Sequence, residues 1–191
     1  MRVAITGTAG TGKTTLGNLI SSNTSLTYIP DINDIVLREM GYESGTHLFK
    51  ERGEEGMIEW HMNAIKSKIE SDTERDKYIA DKSIFDFGAR WFARMYSSAK
   101  KQNHEYVLSC LEKGKDLYDK IIFLPLDFNR SVANDGMRTT DLFQRFKFNI
   151  VLQGLYKEFK VNIEEYDFDF ASPPEKVIRD LKLDSLAATI K

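Results

Sequence analysis

The amino-acid sequence predicts an α/β fold of three layers, with a parallel sheet between two layers of helices. Five short apolar stretches are each followed by a segment of helical character, which is the pattern of a parallel sheet. The stretch at residues 120–126 is a nearly continuous apolar run, typical of a strand buried on both faces. The first stretch leads directly into a glycine-rich loop and then a helix.

The first two strand–helix units are marked by clear start and stop signals. Residues 3–5 supply the first strand, and the segment after the glycine-rich loop has helical apolar spacing. A second strand is predicted at 25–30, where Pro30 ends the run because proline cannot donate to a strand ladder. The next helix opens at Asp31 and ends near Gly41.

The middle of the chain is predicted to contain a long helix, a third strand and two further helices. Residues 46–74 form the long helix, which Gly53 and Gly56 break or kink. The third strand is predicted at 77–81, and an aromatic-rich helix follows it. A further helix is predicted at 104–117.

The last part of the chain supplies two strands and two helices. The buried strand at 120–126 is followed by a polar segment at 129–141 and a helix at 142–159. A fifth strand is predicted at 161–166, although charged residues weaken its pattern, and the final helix spans 175–183.

Composition and length indicate an ordinary globular chain. The 191 residues are 41% hydrophobic and 29% charged, and we expect one domain over 1–191 with a small lid at about 129–145. The net charge of −2 argues against broad nonspecific binding to nucleic acid. The single Cys110 excludes an intrachain disulfide, and no apolar stretch has the length of a membrane span. We therefore expect a soluble, cytoplasmic protein.

The glycine-rich loop has the pattern Gly7-x-x-x-x-Gly12-Lys13-Thr14, which is typical of loops that hold nucleotide phosphates. Glycines let backbone N–H groups turn toward an anion, and the following helix adds its free N–H groups. Lys13 would bridge the β- and γ-phosphates, and the Thr14 hydroxyl would bind Mg²⁺. We therefore expect ATP, with GTP as the alternative, and Mg²⁺. The predicted nucleotide contacts are Gly7, Thr8, Ala9, Gly10, Thr11, Gly12, Lys13, Thr14 and Thr15.

Two carboxylates come directly after apolar strands, and they would meet at the phosphate loop if both strands flank the first one. Asp31 comes after the second strand and Asp81 ends the third. In a parallel sheet both would point toward the phosphate loop, so one could hold Mg²⁺ and the other could accept a proton from an attacking hydroxyl. We assign the metal role to Asp81 and the base role to Asp31, with Asp34 as its substitute. The competing interpretation is that each aspartate caps the next helix.

The polar segment after the fourth strand carries arginines that would suit a lid. Arg138 is predicted to close over ATP and to stabilise the charge on the transferring phosphoryl group. Arg145 is a second candidate, although Asp141 lies four residues before it and the two could form a helix-surface pair.

Several other side chains are candidates for the acceptor side of the site. Trp60 and Phe85 could stack on a nucleobase, although aromatic residues in a domain of this size usually lie in the core. Arg38 and Arg90 could bind an acceptor phosphate, although arginines at such positions are commonly surface residues.

The order of these parts resembles the P-loop nucleoside and nucleotide kinases. More narrowly, the sequences Tyr28-Ile29-Pro30-Asp31 and Asn134-Asp135-Gly136-Met137-Arg138 are similar to the kinase-like ATPase family that includes the ribosylnicotinamide kinase domain. The resemblance implies a five-stranded parallel sheet of order 2-3-1-4-5. It also implies that adenine lies near Ser172 and Pro173.

The sequence departs from the related deoxynucleoside kinases at two positions. After strand two, those enzymes have a Glu as general base, where this chain has Asp31. After strand three, they have an Asp-Arg-Ser motif, where this chain has Asp81-Lys82-Ser83. Lys82 keeps the positive charge but loses the two-pronged hydrogen bonding of arginine. Both departures concern the acceptor more than the phosphoryl transfer.

The sequence favours a kinase that moves the γ-phosphoryl of ATP to a nucleoside or a nucleoside monophosphate. With a sugar hydroxyl as acceptor, Asp31 would be the base; with a monophosphate, an arginine would hold the phosphate instead. Two alternatives remain at this point: a kinase acting on a hydroxymethylated base in DNA, and a regulatory ATPase without a small-molecule acceptor. A homodimer is also left open.

Overall fold

The computed structural model describes residues 1–129 and 140–186. Five parallel strands form one sheet in the order β2-β3-β1-β4-β5, which confirms the predicted α/β class and strand order. The strands are β1 Arg2–Thr6, β2 Thr27–Ile29, β3 Tyr78–Asp81, β4 Lys120–Phe123 and β5 Glu164–Glu165.

Helices connect the strands and cover both faces of the sheet. The described α-helices are α1 Lys13–Asn23, α2 Ile32–Glu39, α3 Gly45–Thr73, α4 Ile84–Arg94, α5 Lys101–Gly114, α6 Leu142–Glu158 and α7 Pro174–Asp180. A short 3₁₀ helix follows at Asp184–Leu186. No helix in these described ranges is long and apolar enough to cross a membrane.

The central strand β1 brings the carboxyl ends of its neighbours to one edge. Ile5 pairs with Asp81 of β3, and Thr6 pairs with Phe123 of β4. Since the chain leaves β1 at Thr6, the phosphate loop starts beside the end of β3. The register therefore places Asp81 next to the loop, as predicted, whereas β2, which leads to Asp31, does not flank β1 because β3 lies between them.

The side chains of β1 alternate between two apolar layers. Ala4 faces a large core built with α2 to α6, whereas Val3 and Ile5 face a smaller core built with α1 and α7. This alternation follows from the two-residue period of a strand, and both faces are covered as in other parallel sheets.

The structure confirms one predicted helix break and shortens one predicted strand. The long helix α3 is kinked at Gly53, whose φ of 59° and ψ of −150° are not helical, so the predicted break is confirmed there. The fifth strand is shorter than predicted: only Glu164–Glu165 pair with β4, at the sheet edge. The segment predicted as a lid falls largely at residues 130–139, outside the described residues.

Candidate active site

The glycine-rich loop leaves β1 and enters α1 through backbone conformations that other residues rarely adopt. Gly7, Gly10 and Gly12 have φ angles of 135°, 80° and 98°. A Cβ added at Gly7 would lie 2.5 Å from the carbonyl oxygen of Leu124. The loop therefore depends on glycine both for its backbone conformation and for its close approach to the chain after β4.

Lys13, the first residue of α1, lies over the loop with its ammonium buried. Its Nζ donates to the carbonyl oxygen of Thr8 at 2.7 Å, and the Thr11 hydroxyl donates to the same oxygen at 3.0 Å. Burial lowers the pKa of Lys13, and the nearby Asp81 carboxylate opposes that shift. The ammonium thus lies at the mouth of the loop, where a phosphate can replace the Thr8 carbonyl as its partner.

Thr14 and Asp81 lie together beside the loop. The Thr14 hydroxyl donates to Asp81 Oδ2 at 2.5 Å, and the Tyr28 hydroxyl donates to the same oxygen at 3.1 Å. Asp81 Oδ1 is buried and has no hydrogen-bond partner. Mg²⁺ prefers oxygen ligands such as hydroxyls and carboxylates. The Thr14 hydroxyl and the unpaired Asp81 Oδ1 therefore fit the predicted metal role.

Lys82, the residue after Asp81, contacts Asp31. Lys82 has a φ of 79°, a left-handed conformation that is costly outside glycine, and its N–H donates to the Ile5 carbonyl at 2.8 Å. Its ammonium forms a close ion pair with Asp31. Asp31 also caps α2, because its Oδ1 accepts from the Asn33 N–H at 3.1 Å. The capping interpretation of Asp31 is thus confirmed, while its role as a base stays a prediction.

The charge of Asp31 is strongly stabilised. Burial alone would raise the pKa of its carboxyl group, but the charges of Lys82 and Arg90 and the hydrogen bonds from Lys82 and Asn33 hold that pKa well below its usual range. A carboxylate with a strongly lowered pKa is a weak proton acceptor. The ion pair is accordingly better suited to positioning Lys82 than to removing a proton from a hydroxyl.

Trp60 and Arg90 lie beside this ion pair. The indole Nε1 of Trp60 donates to the Asn33 carbonyl at 3.0 Å, and the Arg90 guanidinium lies over the indole ring, 5.7 Å from its centroid. The neighbouring His61 is buried, and burial together with the charges of Arg90, Arg94 and Lys82 holds its pKa well below the usual range. Trp60 itself is only 4% exposed and packs in the large core, so the acceptor side offers positive charge and no open aromatic face.

Arg145 reaches the phosphate loop from the first turn of α6. Its Nε donates to the carbonyl of Ala9 at 3.1 Å, and the side chain is almost fully buried. Asp141, the predicted surface partner, instead caps the helix by accepting from the Gln144 N–H at 2.7 Å. Arg145 thus contacts the phosphate loop, while its action on a phosphoryl group stays a prediction. Arg138 falls outside the described residues.

Two predicted acceptor residues lie elsewhere. Phe85 is completely buried in the large core, where its ring packs against Tyr156 and Phe159, so the prediction that it lines a base pocket is wrong. Arg38 is exposed on the last turn of α2, about 10 Å along the helix from Asp31 at 1.5 Å per residue. The structure does not bring Arg38 to the other candidates.

Sequence reasoning missed one buried carboxylate beneath the loop. Asp86 of α4 is 1% exposed and accepts hydrogen bonds from the Thr6 hydroxyl at 2.6 Å and from the Gly7 N–H at 3.3 Å. The available signal was the spacing Ser83-x-x-Asp86, which predicts a capping box at the start of α4. The capping box is present.

The family of the chain is identified by a protein-family sequence model that matches most of its length. The family model described as "AAA domain" matches residues 2–169, from β1 through β5. The chain belongs to this AAA domain family. The assignment places this AAA-domain protein among the P-loop nucleoside triphosphatases and nucleotide kinases, in agreement with the loop geometry. No curated protein sequence matches the chain significantly.

Solved structures share the fold of this AAA-domain protein at low sequence identity. A deoxyadenosine kinase from M. mycoides with the products dcmp and dcdp bound superposes with a TM-score of 0.63 at 13% identity, covering 97% of this chain and 99% of that one. Shikimate kinase from Aquifex aeolicus superposes with a TM-score of 0.54 at 16% identity, covering 97% and 96%. A shikimate kinase from Acinetobacter baumannii with shikimate bound gives 0.55 at 15% identity, covering 96% and 92%. At these identities, the likeness establishes the fold.

Proposed function

We propose that this protein is an ATP-dependent kinase that transfers the γ-phosphoryl group to a nucleoside or a nucleoside monophosphate. One observation carries the proposal. The consecutive residues Asp81 and Lys82 contact different groups: Asp81 accepts from Thr14 of the phosphate loop, and Lys82 pairs with Asp31. The site for the phosphoryl donor and a second, charged site are therefore separated by the single peptide unit between Asp81 and Lys82. Phosphoryl transfer requires two bound substrates to lie this close together.

Each part of the site has a role in this reaction. The loop N–H groups and Lys13 bind the phosphates of ATP, and Thr14 and Asp81 would hold Mg²⁺, which neutralises charge on the phosphate oxygens. Arg145, and Arg138 from the lid, would stabilise the charge that develops on the transferring group. The fold shared with deoxyadenosine and shikimate kinases supports a small acceptor.

Between the two acceptor types, the electrostatics favour a nucleoside monophosphate. A sugar hydroxyl would need Asp31 as a base, yet Lys82 and Arg90 lower the pKa of Asp31 and thereby weaken it in that role. A phosphate acceptor is already an anion near neutral pH, and Arg90 and Lys82 offer it positive charge.

The proposal is tested by incubating the protein with radiolabelled ATP and Mg²⁺ in the presence of candidate acceptors. The panel comprises nucleosides, nucleoside monophosphates, ribosylnicotinamide and DNA containing hydroxymethylated bases, with GTP as a second donor. We expect the radiolabelled phosphoryl group to appear in a nucleoside diphosphate. The Lys13→Ala variant should transfer none of it. Hydrolysis that no acceptor changes would contradict the kinase and favour the regulatory ATPase, whereas label in DNA would favour the DNA-base kinase.

Two variants separate the acceptor types. Arg90→Met should raise the KM for a monophosphate about tenfold or more, because one charge-assisted hydrogen bond is lost, while the KM for ATP stays constant. Asp31→Asn should retain most of kcat with a monophosphate. A loss of kcat of about a hundredfold or more in Asp31→Asn, with Arg90→Met unaffected, would instead identify a hydroxyl acceptor with Asp31 as its base.

A further inference from the structure

The buried carboxylate of Asp86 gathers hydrogen bonds from two segments that carry the candidate site. From the end of β1 it accepts the Thr6 hydroxyl at 2.6 Å and the Gly7 N–H at 3.3 Å. From the junction of β3 and α4 it accepts the Ser83 N–H and the Ser83 hydroxyl, both at 2.8 Å. Every contact is with a donor, so the site suits a carboxylate and not an amide.

A third segment closes the same network from α6. The Tyr156 hydroxyl donates to Thr6 Oγ1 at 2.8 Å and lies 2.8 Å from the Ser83 hydroxyl. Its helix also carries Arg145, which contacts the phosphate loop at Ala9. We call Thr6, Gly7, Ser83, Asp86 and Tyr156 the base network, because they lie at the base of the loop.

The base network does more than cap a helix. A capping box satisfies free N–H groups at the start of a helix, and the bond that Asp86 accepts from the Ser83 N–H is of this kind. The bonds to Thr6 and Gly7 add nothing to the cap, and they span 80 and 79 residues of sequence. They fix the peptide between Thr6 and Gly7, where the chain turns from β1 into the phosphate loop.

We infer that Asp86 is a positioning residue for nucleotide binding, which holds the start of the phosphate loop at a fixed distance from the Asp81–Lys82 segment. The loop binds phosphate through backbone N–H groups, whose directions depend on the peptide planes before them. Fixing the peptide plane at Gly7 therefore sets the orientation of the donors that follow. The inference rests on the nucleotide-binding part of the proposed function and does not depend on the acceptor.

The test compares Asp86→Asn with a variant that breaks an equivalent hydrogen bond at the start of another helix. In Asp86→Asn an amide NH₂ must face either the Gly7 N–H or the Ser83 N–H, neither of which can turn away. Asn103→Ala is the matched control, because Asn103 Oδ1 accepts from the Lys100 N–H at the start of α5, as Asp86 accepts from the Ser83 N–H at the start of α4. Thr6→Val, which removes one donor to Asp86 with little change in shape, is the second test variant.

Binding of ATP with Mg²⁺ is measured by calorimetry on each folded variant, together with its thermal midpoint. We expect the Kd for ATP to rise between about tenfold and a hundredfold in Asp86→Asn, and by a smaller factor in Thr6→Val. Asn103→Ala should lower the thermal midpoint while its Kd for ATP stays at the wild-type value. If Asp86→Asn does not fold, the comparison of Thr6→Val with Asn103→Ala decides the question.

The outcomes separate this inference from the proposed function. A lower thermal midpoint with an unchanged Kd for ATP in both Asp86→Asn and Thr6→Val would show that Asp86 only caps α4, and would overturn the inference. Wild-type protein that binds ATP but labels no acceptor would overturn the kinase and leave the positioning role intact. Wild-type protein that binds no ATP would overturn both.

Discussion

At the scale of single residues, the ion pair between Asp31 and Lys82 makes stability depend on pH. The charges of Lys82 and Arg90 outweigh the effect of burial and hold the pKa of Asp31 below its ordinary value of 3.8. Because the pKa is lower in the folded state than in the unfolded state, the stabilisation is fully present above 3.8 and is lost as the pH falls through the folded-state pKa.

The substitution Asp31→Asn removes the charge while asparagine can still cap α2. We expect the free energy of unfolding to fall by about 1.5–3 kcal/mol at neutral pH, the usual value of a hydrogen bond to a charged group. The difference from wild type should shrink below a pH of about 4. Urea unfolding across pH measures it, with Asp116→Asn at an exposed carboxylate as the control. A difference independent of pH would contradict the role assigned to Lys82 and Arg90.

A second residue-scale prediction concerns the metal. Asp81 offers a buried oxygen without a partner, and Thr14 offers the hydroxyl beside it. We expect Asp81→Asn to raise the Mg²⁺ concentration for half-maximal activity by at least about tenfold. Tyr28→Phe should raise it less, because the Tyr28 hydroxyl orients the carboxylate without being one of the two proposed ligands. Equal Mg²⁺ dependence in wild type and Asp81→Asn would remove Asp81 from the metal site.

At the scale of elements, the phosphate loop depends on space as well as on backbone conformation. Gly7 and Gly41 both have positive φ, at 135° and 86°, but a Cβ at Gly7 would meet the Leu124 carbonyl whereas a Cβ at Gly41 meets nothing within 4 Å. We expect Gly41→Ala to cost about 1 kcal/mol and to leave ATP binding unchanged. Gly7→Ala should cost more and should also weaken ATP binding. Similar effects of the two substitutions would show that the loop can shift away from Leu124.

The elements also show which features of the candidate site a sequence pattern can predict and which it cannot. The phosphate loop was predictable because its chemistry is local: its glycines, lysine and threonine lie within the eight consecutive residues 7–14. Phe85 was misassigned because aromatic composition does not reveal which face of α4 packs inward. Asp86 was missed because its partner Thr6 is 80 residues away, so only the fold brings them together.

At the scale of the whole molecule, a buried ion pair links helix α3 to the segments around the sheet. Lys68 donates to Asp72 at 3.0 Å, and neither side chain is exposed to solvent. Tyr118, just before β4, donates to Asp72 at 2.6 Å and accepts from the N–H of Ile84 at 2.8 Å. The pair therefore joins three segments of the large core without contacting the phosphate loop.

Breaking this pair should destabilise the molecule without altering its chemistry. Lys68→Met leaves the Asp72 carboxylate buried without its cation, and we expect a loss of about 3–5 kcal/mol in the free energy of unfolding. The double variant Lys68→Met with Asp72→Asn should recover most of that loss, since a neutral amide can still accept from Tyr118. Urea unfolding of the four proteins in this cycle measures the coupling. The KM for ATP should be the same in all four proteins, because the pair stabilises the scaffold and lies outside the site. A raised KM for ATP in Lys68→Met alone would instead connect α3 to nucleotide binding.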